Sequence, residues 1–147
     1  MSLKEVLYED LKRAMKQGNK KLVSVIRLVR AAIVNAEKEK LHILDDDEVV
    51  QVLAKEVKQR RDAIEEYKRV ERQDAVAELE NEIDILLEYM PQQLSEDEIT
   101  ELVSQTIYEV GASSVKDMGR VMKALMPRVK GRADGQLVNK IVRQQLH

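Results

Sequence analysis

Lys130, Gly131 and Arg132, followed at once by Asp134 and Gly135, are the residues whose types and order suit a chemical task, and the task is holding an anion. The pattern predicts a helix opening at Asp134-Gly135. The first backbone N–H groups of a helix lack internal partners and lie at the positive end of its dipole, so the turn from Asp134 to Leu137 offers an anion site. Gly131 and Gly135 carry no Cβ to shield those amides, and Lys130 and Arg132 stand in front of them. Upstream, Lys116, Arg120 and Lys123 repeat at i, i+4 and i+7 as the polar stripe of a predicted helix from Lys116 to Met126. Its apolar stripe is Met118, Val121, Met122, Leu125 and Met126. That helix is expected to stop at Pro127 and leave a basic loop. Gly119, within it, costs ~1 kcal/mol relative to Ala, which is most simply explained by another backbone or a ligand lying against it.

With Arg128, Lys140 and Arg143 there are eight cations after residue 112 against Asp117 and Asp134 alone, a net charge of +6. Cations on small helices are as often a solvated surface as a binding site, and here the flanking glycines favour phosphate. Asp134 works the other way, because an N-cap carboxylate takes part of the same anion site.

Bond-making chemistry has no comparable set of residues. The chain has no cysteine, so it offers no thiolate nucleophile, disulfide framework or thiolate metal site. Its two histidines, His42 and His147, have no recognisable partner, and no Walker or dinucleotide glycine pattern occurs. Asp45, Asp46, Asp47 and Glu48 resemble a metal cluster at first sight. Asp45 and Glu48 nevertheless have capping-box spacing, Leu44 and Val49 have hydrophobic-staple spacing, and no glycine turn or distal Glu completes a calcium loop. The expectation is binding without catalysis by this chain, with no metal and no cofactor.

The elements that position these residues are helical. Of 147 residues 44% are hydrophobic, enough for a core, but only 3% are aromatic, with no Phe or Trp. The core is therefore aliphatic, which suits helix-on-helix packing and leaves little for stacking on bases. Thirty-five per cent charged residues, five glycines and two prolines predict an all-α, loop-poor chain. No apolar run approaches the ~20 residues needed to cross a bilayer, and no signal-peptide block opens the chain, so the reading is cytoplasmic with no membrane. The overall charge of −2 hides a basic start, a basic end and an acidic stretch of −11 over residues 71–112. That stretch offers an alternative: a helical adaptor that contacts a protein partner through 71–112.

In chain order, Ser2 and Glu5 have capping-box spacing, and Gly18 ends the first helix. Asn19 caps the second, whose apolar stripe is wide. The third runs from the acid cluster with mixed charges that read as a solvated, ion-paired face. A break is expected near Glu71 to Asp74, and a fourth helix then reaches Pro91. Ser95 and Glu98 form the clearest helix start in the chain. Gly111 closes the fifth helix, Ser114 and Asp117 have the spacing to cap the sixth, and Leu137, Val138, Ile141, Val142 and Leu146 line the seventh.

The run MGRVMKALMPRVKGRADGQLVNKIV, with YMPQQLSEDEI and EVGASSVKDMG before it, closely resembles the free-standing proteins of the GatB/YqeY family, over essentially the whole chain. Its last fifty or so residues also resemble the tail domain of GatB, a subunit of the glutamine-dependent tRNA amidotransferase. The resemblance implies an all-α fold with an N-terminal four-helix bundle over 1–93 and a three-helix tail-like domain over 94–147. It also implies contact with tRNA or another structured RNA, hence a place in translation. Gly119, Met122, Lys130, Gly131, Arg132, Ala133, Val138 and Asn139 match the tail's pattern, which adds Gly119 and Asn139 to the candidate RNA-binding residues. Gly135 departs from it, since those tails often carry a proline there. Nothing in the chain corresponds to GatB's catalytic part, so carbon–nitrogen ligase activity with glutamine as amido-N-donor is implied only for an enzyme with which this chain would associate.

Overall fold

The computed structural model describes residues 1–147 and is all helical: α1 Leu3–Gln17, α2 Lys20–Lys40, α3 Asp46–Arg69, α4 Gln73–Leu87, α5 Glu96–Val110, α6 Met118–Val129 and α7 Gly135–Gln145, with a 3-10 turn at Val115–Asp117 before α6. Two compact units divide the chain, Met1–Pro91 and Gln92–His147.

In the first unit α1 to α4 enclose an aliphatic core that includes Leu7, Leu11, Ile26, Val29, Val49, Leu53, Val57, Ile83 and Leu86. Local chemistry fixes the ends of these helices. The Ser2 hydroxyl accepts the Glu5 N–H at 3.1 Å without the reciprocal bond of a full capping box, and the next free amide, the Leu3 N–H, donates to Asp46 Oδ1 of α3 at 2.9 Å. Gly18 closes α1 at φ 71°, the left-handed conformation in which a Cβ is penalised. Asp45 and Glu48 form a complete capping box at the start of α3. The break between α3 and α4 turns on Glu71 at φ 57°, with no glycine. The last of these helices ends at Leu87, short of Pro91, so the proline is not its stop.

Arg60 corrects the expectation that the charges of α3 are a solvated face. It is only 8% exposed. Its guanidinium is held by Glu82 Oε1 at 3.0 Å, Glu56 Oε1 at 3.1 Å and the Glu56 carbonyl at 3.0 Å. Glu82 also accepts from Lys21 at 3.3 Å, so one carboxylate ties α2, α3 and α4 together.

In the second unit α5, α6 and α7 close on Ile99, Val103, Val121, Leu125, Val129, Val138, Ile141, Val142 and Leu146. Ser95 and Glu98 cap α5 with a full box, and Gly111 ends it at φ 67°. The sixth helix does not stop at Pro127: it continues to Val129 with the proline inside it. Proline removes one N–H and crowds the preceding turn, at about 3 kcal/mol in a helix interior. Here it lies in the last turn on the solvent side. Continuing the helix buries Val129 to 1% exposure, worth about 1.5–3 kcal/mol, and lets the Lys130 N–H bond the Met126 carbonyl at 2.9 Å.

Candidate nucleic-acid interface

The loop between α6 and α7 is shorter and tighter than a free basic loop. Lys130 caps α6, and Gly131 follows, buried, at φ 75°. The Arg132 and Ala133 N–H groups turn back to the Val129 carbonyl at 2.8 and 3.1 Å. The segment just before α5 then holds the loop from outside. Gln93 Nε2 donates to the Gly131 carbonyl at 2.9 Å, the Leu94 N–H donates to the Arg132 carbonyl at 2.8 Å, and Arg132 Nε donates to the Gln92 carbonyl at 3.3 Å. Gly131 and Arg132 are thus structural residues as well as candidates for binding.

At the start of α7 Asp134 Oδ1 accepts the Gln136 N–H at 3.1 Å, so the carboxylate does take up part of the anion site. Gly135 is exposed, and a Cβ placed there would meet nothing within 4 Å. The same is true of Gly119, and no other segment of this chain packs on it, which removes the backbone explanation for that glycine.

Three arginines of the basic segment, Arg120 of the predicted stripe with Arg128 and Arg132 beyond it, are engaged. Arg120 donates to the Val110 carbonyl at 3.1 Å and to Asp117 Oδ1 at 3.2 Å. The Asp117 carboxyl lies below its ordinary range, first because the Ser113 N–H bonds it and then because Arg120 does. Arg128 crosses to α5, where it meets Glu109 at 2.5 Å and the buried Thr106 hydroxyl at 3.1 Å. Arg132 faces the start of α5, where Glu98 is kept below its ordinary range by the Ser95 N–H, then the Ser95 hydroxyl, with Arg132's charge adding to them.

The lysines are different. Lys116, Lys123, Lys130 and Lys140, with Arg143, have exposed side chains and no carboxylate partner. Lys123 lies on the same side of α6 as Gly119, opposite Val121 and Leu125, while Lys116, seven residues earlier, is in the 3-10 turn before α6 and Lys130, seven residues later, caps its end. Neither α6 nor α7 contains an acid. Lys140 and Arg143 lie opposite the buried Val138, Ile141 and Val142, with Asn139 half-buried on the flank. What this arrangement can do is attract and hold phosphates; it brings no nucleophile to a base.

Sequence reasoning missed Gln92 and Gln93, which hold the loop through contacts about forty residues long. It also left His42 without a partner. His42 Nε2 lies 2.8 Å from Glu48 Oε2, and its Nδ1 is 3.2 Å from the Lys40 carbonyl. The Glu48 carboxylate, already in the capping box, is thereby used on both oxygens. No group of three or more His, Asp or Glu side chains is placed to hold a metal ion.

No helix is long and apolar enough to cross a membrane. Among known proteins the chain is 33% identical over 141 residues to the altered inheritance of mitochondria protein 41, mitochondrial, of Pyrenophora tritici-repentis, covering 94% of this chain and 77% of that protein. It is 30% identical over 94 residues to an uncharacterised protein of Schizosaccharomyces pombe, covering 64% of this chain and 76% of the relative. The sequence model of the Yqey-like proteins matches residues 4–146. With that match spanning both units, the chain belongs to the Yqey-like protein family.

Proposed function

We propose that this protein is an RNA-binding accessory protein that contacts tRNA, or another structured RNA, through residues 94–147. The observation that carries the reading is the state of the cations. Five of them, Lys116, Lys123, Lys130, Lys140 and Arg143, are exposed with no ion pair to satisfy them, and neither α6 nor α7 carries an acid. Surface cations without partners are what a polyanion exchanges for its counterions. Phosphate contacts of this kind position RNA and carry no base identity. The near absence of aromatic residues fits recognition of a folded backbone rather than of stacked single-stranded bases.

The chain on this reading performs no amidation; kinship to the amidotransferase tail supports at most an association with such an enzyme. Filter binding of bulk tRNA to the whole chain at low and high salt tests it. The expected result is saturable binding that weakens steeply with salt, and less steeply when Lys123 and Lys130 are both alanine. Absent binding, or binding that ignores salt, rejects it. Cytoplasmic localisation belongs to the same proposal and is tested by imaging a tagged chain.

The adaptor reading retains one observation, Tyr108, which is 88% exposed on α5 within the acidic stretch. Four of its twelve acids are already paired inside the protein, Glu78 and Glu82 with Lys21, Asp74 with Arg72 and Glu109 with Arg128. A pull-down that requires Tyr108 would favour it.

A further inference from the structure

The first unit carries an apolar surface that its own core leaves uncovered. Tyr8 and Met15 on α1, and Leu28 and Val34 on α2, are each about half exposed, at 47%, 53%, 52% and 47%. The two helices are joined only by Gly18 and Asn19 and so run antiparallel, and a seam lies between them. At one end it widens into a groove of about 440 Å³ lined by Lys4, Leu7, Arg30, Ile33, Val34 and Glu37. At the other end a groove of about 640 Å³ is lined by Ala14, Met15, Lys20, Val23, Arg27 and Leu28.

The rim of this seam is basic. Lys20 has no carboxylate partner, and Arg27 reaches only the Met15 sulfur at 4.0 Å. Arg30 lies over the Tyr8 ring at 4.9 Å and Lys12 over the same ring at 4.8 Å. Glu37 is the one acid in either lining, and it is committed: its Oε2 accepts Lys4 Nζ at 2.7 Å and the Leu44 N–H at 2.9 Å.

We propose that the α1–α2 seam is a docking groove for an acidic amphipathic helix of a partner protein. Its apolar side would lie on Val23, Leu28, Val34 and Met15, and its carboxylates would meet Lys20, Arg27 and Arg30. A helix in a groove is recognised through apolar anchors at i, i+3, i+4 and i+7, and charges of opposite sign on the two rims set its orientation and exclude basic competitors. The 15-residue α1 is about 22 Å long at 1.5 Å per residue, which matches an occupant of about four turns. RNA fits less well, because phosphates would leave the aliphatic floor wet and the Tyr8 face is already covered by cations. A lipid surface fits less well because the apolar residues line concavities. This proposal is independent of the RNA reading, which concerns the other unit.

The test uses the whole chain and a fluorescein-labelled synthetic peptide of about four turns, with leucine at i, i+3, i+4 and i+7 and glutamate elsewhere. A permuted peptide of the same composition is the control. The amphipathic peptide is expected to bind saturably and the permuted one not to. Arg27→Glu with Leu28→Ser, both on exposed positions, is expected to weaken binding by about tenfold or more with unchanged thermal melting. Lys123→Ala with Lys130→Ala should leave it unchanged. No saturable binding, equal binding of both peptides, or wild-type affinity in the Arg27/Leu28 variant overturns the proposal. Loss of tRNA affinity in that variant, as large as in the Lys123/Lys130 variant, would overturn it too, by assigning the seam to nucleic acid.

Discussion

The side-chain amide of Gln93 donates to the carbonyl of Gly131 at 2.9 Å, across thirty-eight residues of sequence. This bond, with those from Leu94 and to Gln92, holds a buried peptide whose φ of 75° suits glycine and few other residues. The sequence alone suggests that Gly131 keeps the backbone open for phosphate. The structure assigns it a different part. Gly131→Ala is expected to destabilise the chain by about 1–2 kcal/mol and Gly131→Val by more, because a left-handed conformation penalises a Cβ and a branched one most. Thermal melting of the two variants checks this. A melt equal to wild type would show that the loop relaxes without loss.

Arg60→Ala is expected to lower stability by about 2–4 kcal/mol, within the usual range for removing one partner of a buried ion pair and reduced because Lys21 still serves Glu82. Arg60→Met combined with Glu82→Leu should recover only part of the loss, since that pair's desolvation penalty disappears while Glu56 is left without its guanidinium partner. Urea denaturation of the single and double variants measures the difference. A double variant no more stable than Arg60→Ala would mean that the pair holds the helices by more than its own charge.

These two cases show why some features were legible in the sequence and others were not. Helix ends were legible where the signal is local: Asp45 with Glu48, Ser95 with Glu98, and the glycines at 18 and 111 each act on backbone groups within a few residues. Arg60 was not, because its burial depends on Glu82, twenty-two residues away on another helix. Pro127 misled because a local penalty was weighed without the core contact of Val129 that opposes it. The basic character of the last third was plain from composition, but which cations are free was not. Arg120 and Arg128 look like Lys123 in sequence, and only the folded chain shows that Val110, Asp117 and Glu109 engage them.

His42 gives the first unit a pH dependence in a definite direction. Its imidazole is raised above the ordinary 6.5, chiefly by the hydrogen bond to Glu48 and then by that carboxylate's charge. A raised folded value means that the contribution is fully present below the unfolded value and is lost as pH rises through the folded one. Glu48 is lowered from 4.5 to about 2, first by His42 and then by the Asp45 N–H, so its share is present above 4.5 and is lost as pH falls toward 2. Their joint contribution is therefore greatest between those limits. His42→Gln is expected to lower the melting temperature more at about pH 5.5 than at about pH 8.5. An equal loss at both would mean that the ring acts by packing alone.

The division between engaged cations, Arg120, Arg128 and Arg132, and free ones, the four lysines and Arg143, separates stability from binding in the second unit. Lys123→Ala and Lys130→Ala remove exposed charges that make no ion pair, so each should change stability by no more than ~0.5 kcal/mol. On the RNA reading each should also lower the salt dependence of tRNA binding by about one phosphate contact, alike for all sequences. Arg128→Ala breaks the contacts to Glu109 and to the Thr106 hydroxyl. The threonine keeps its bond to the Leu102 carbonyl at 2.8 Å, so the loss should be about 1 kcal/mol with little change in salt slope. Melting and salt-titrated tRNA binding on the same three variants give two readouts that move in opposite order. If Arg128→Ala lowers the salt slope as much as the lysine variants do, Arg128 leaves Glu109 to meet the nucleic acid. If none of the three moves the slope, the lysines are a solvated surface and the RNA reading fails.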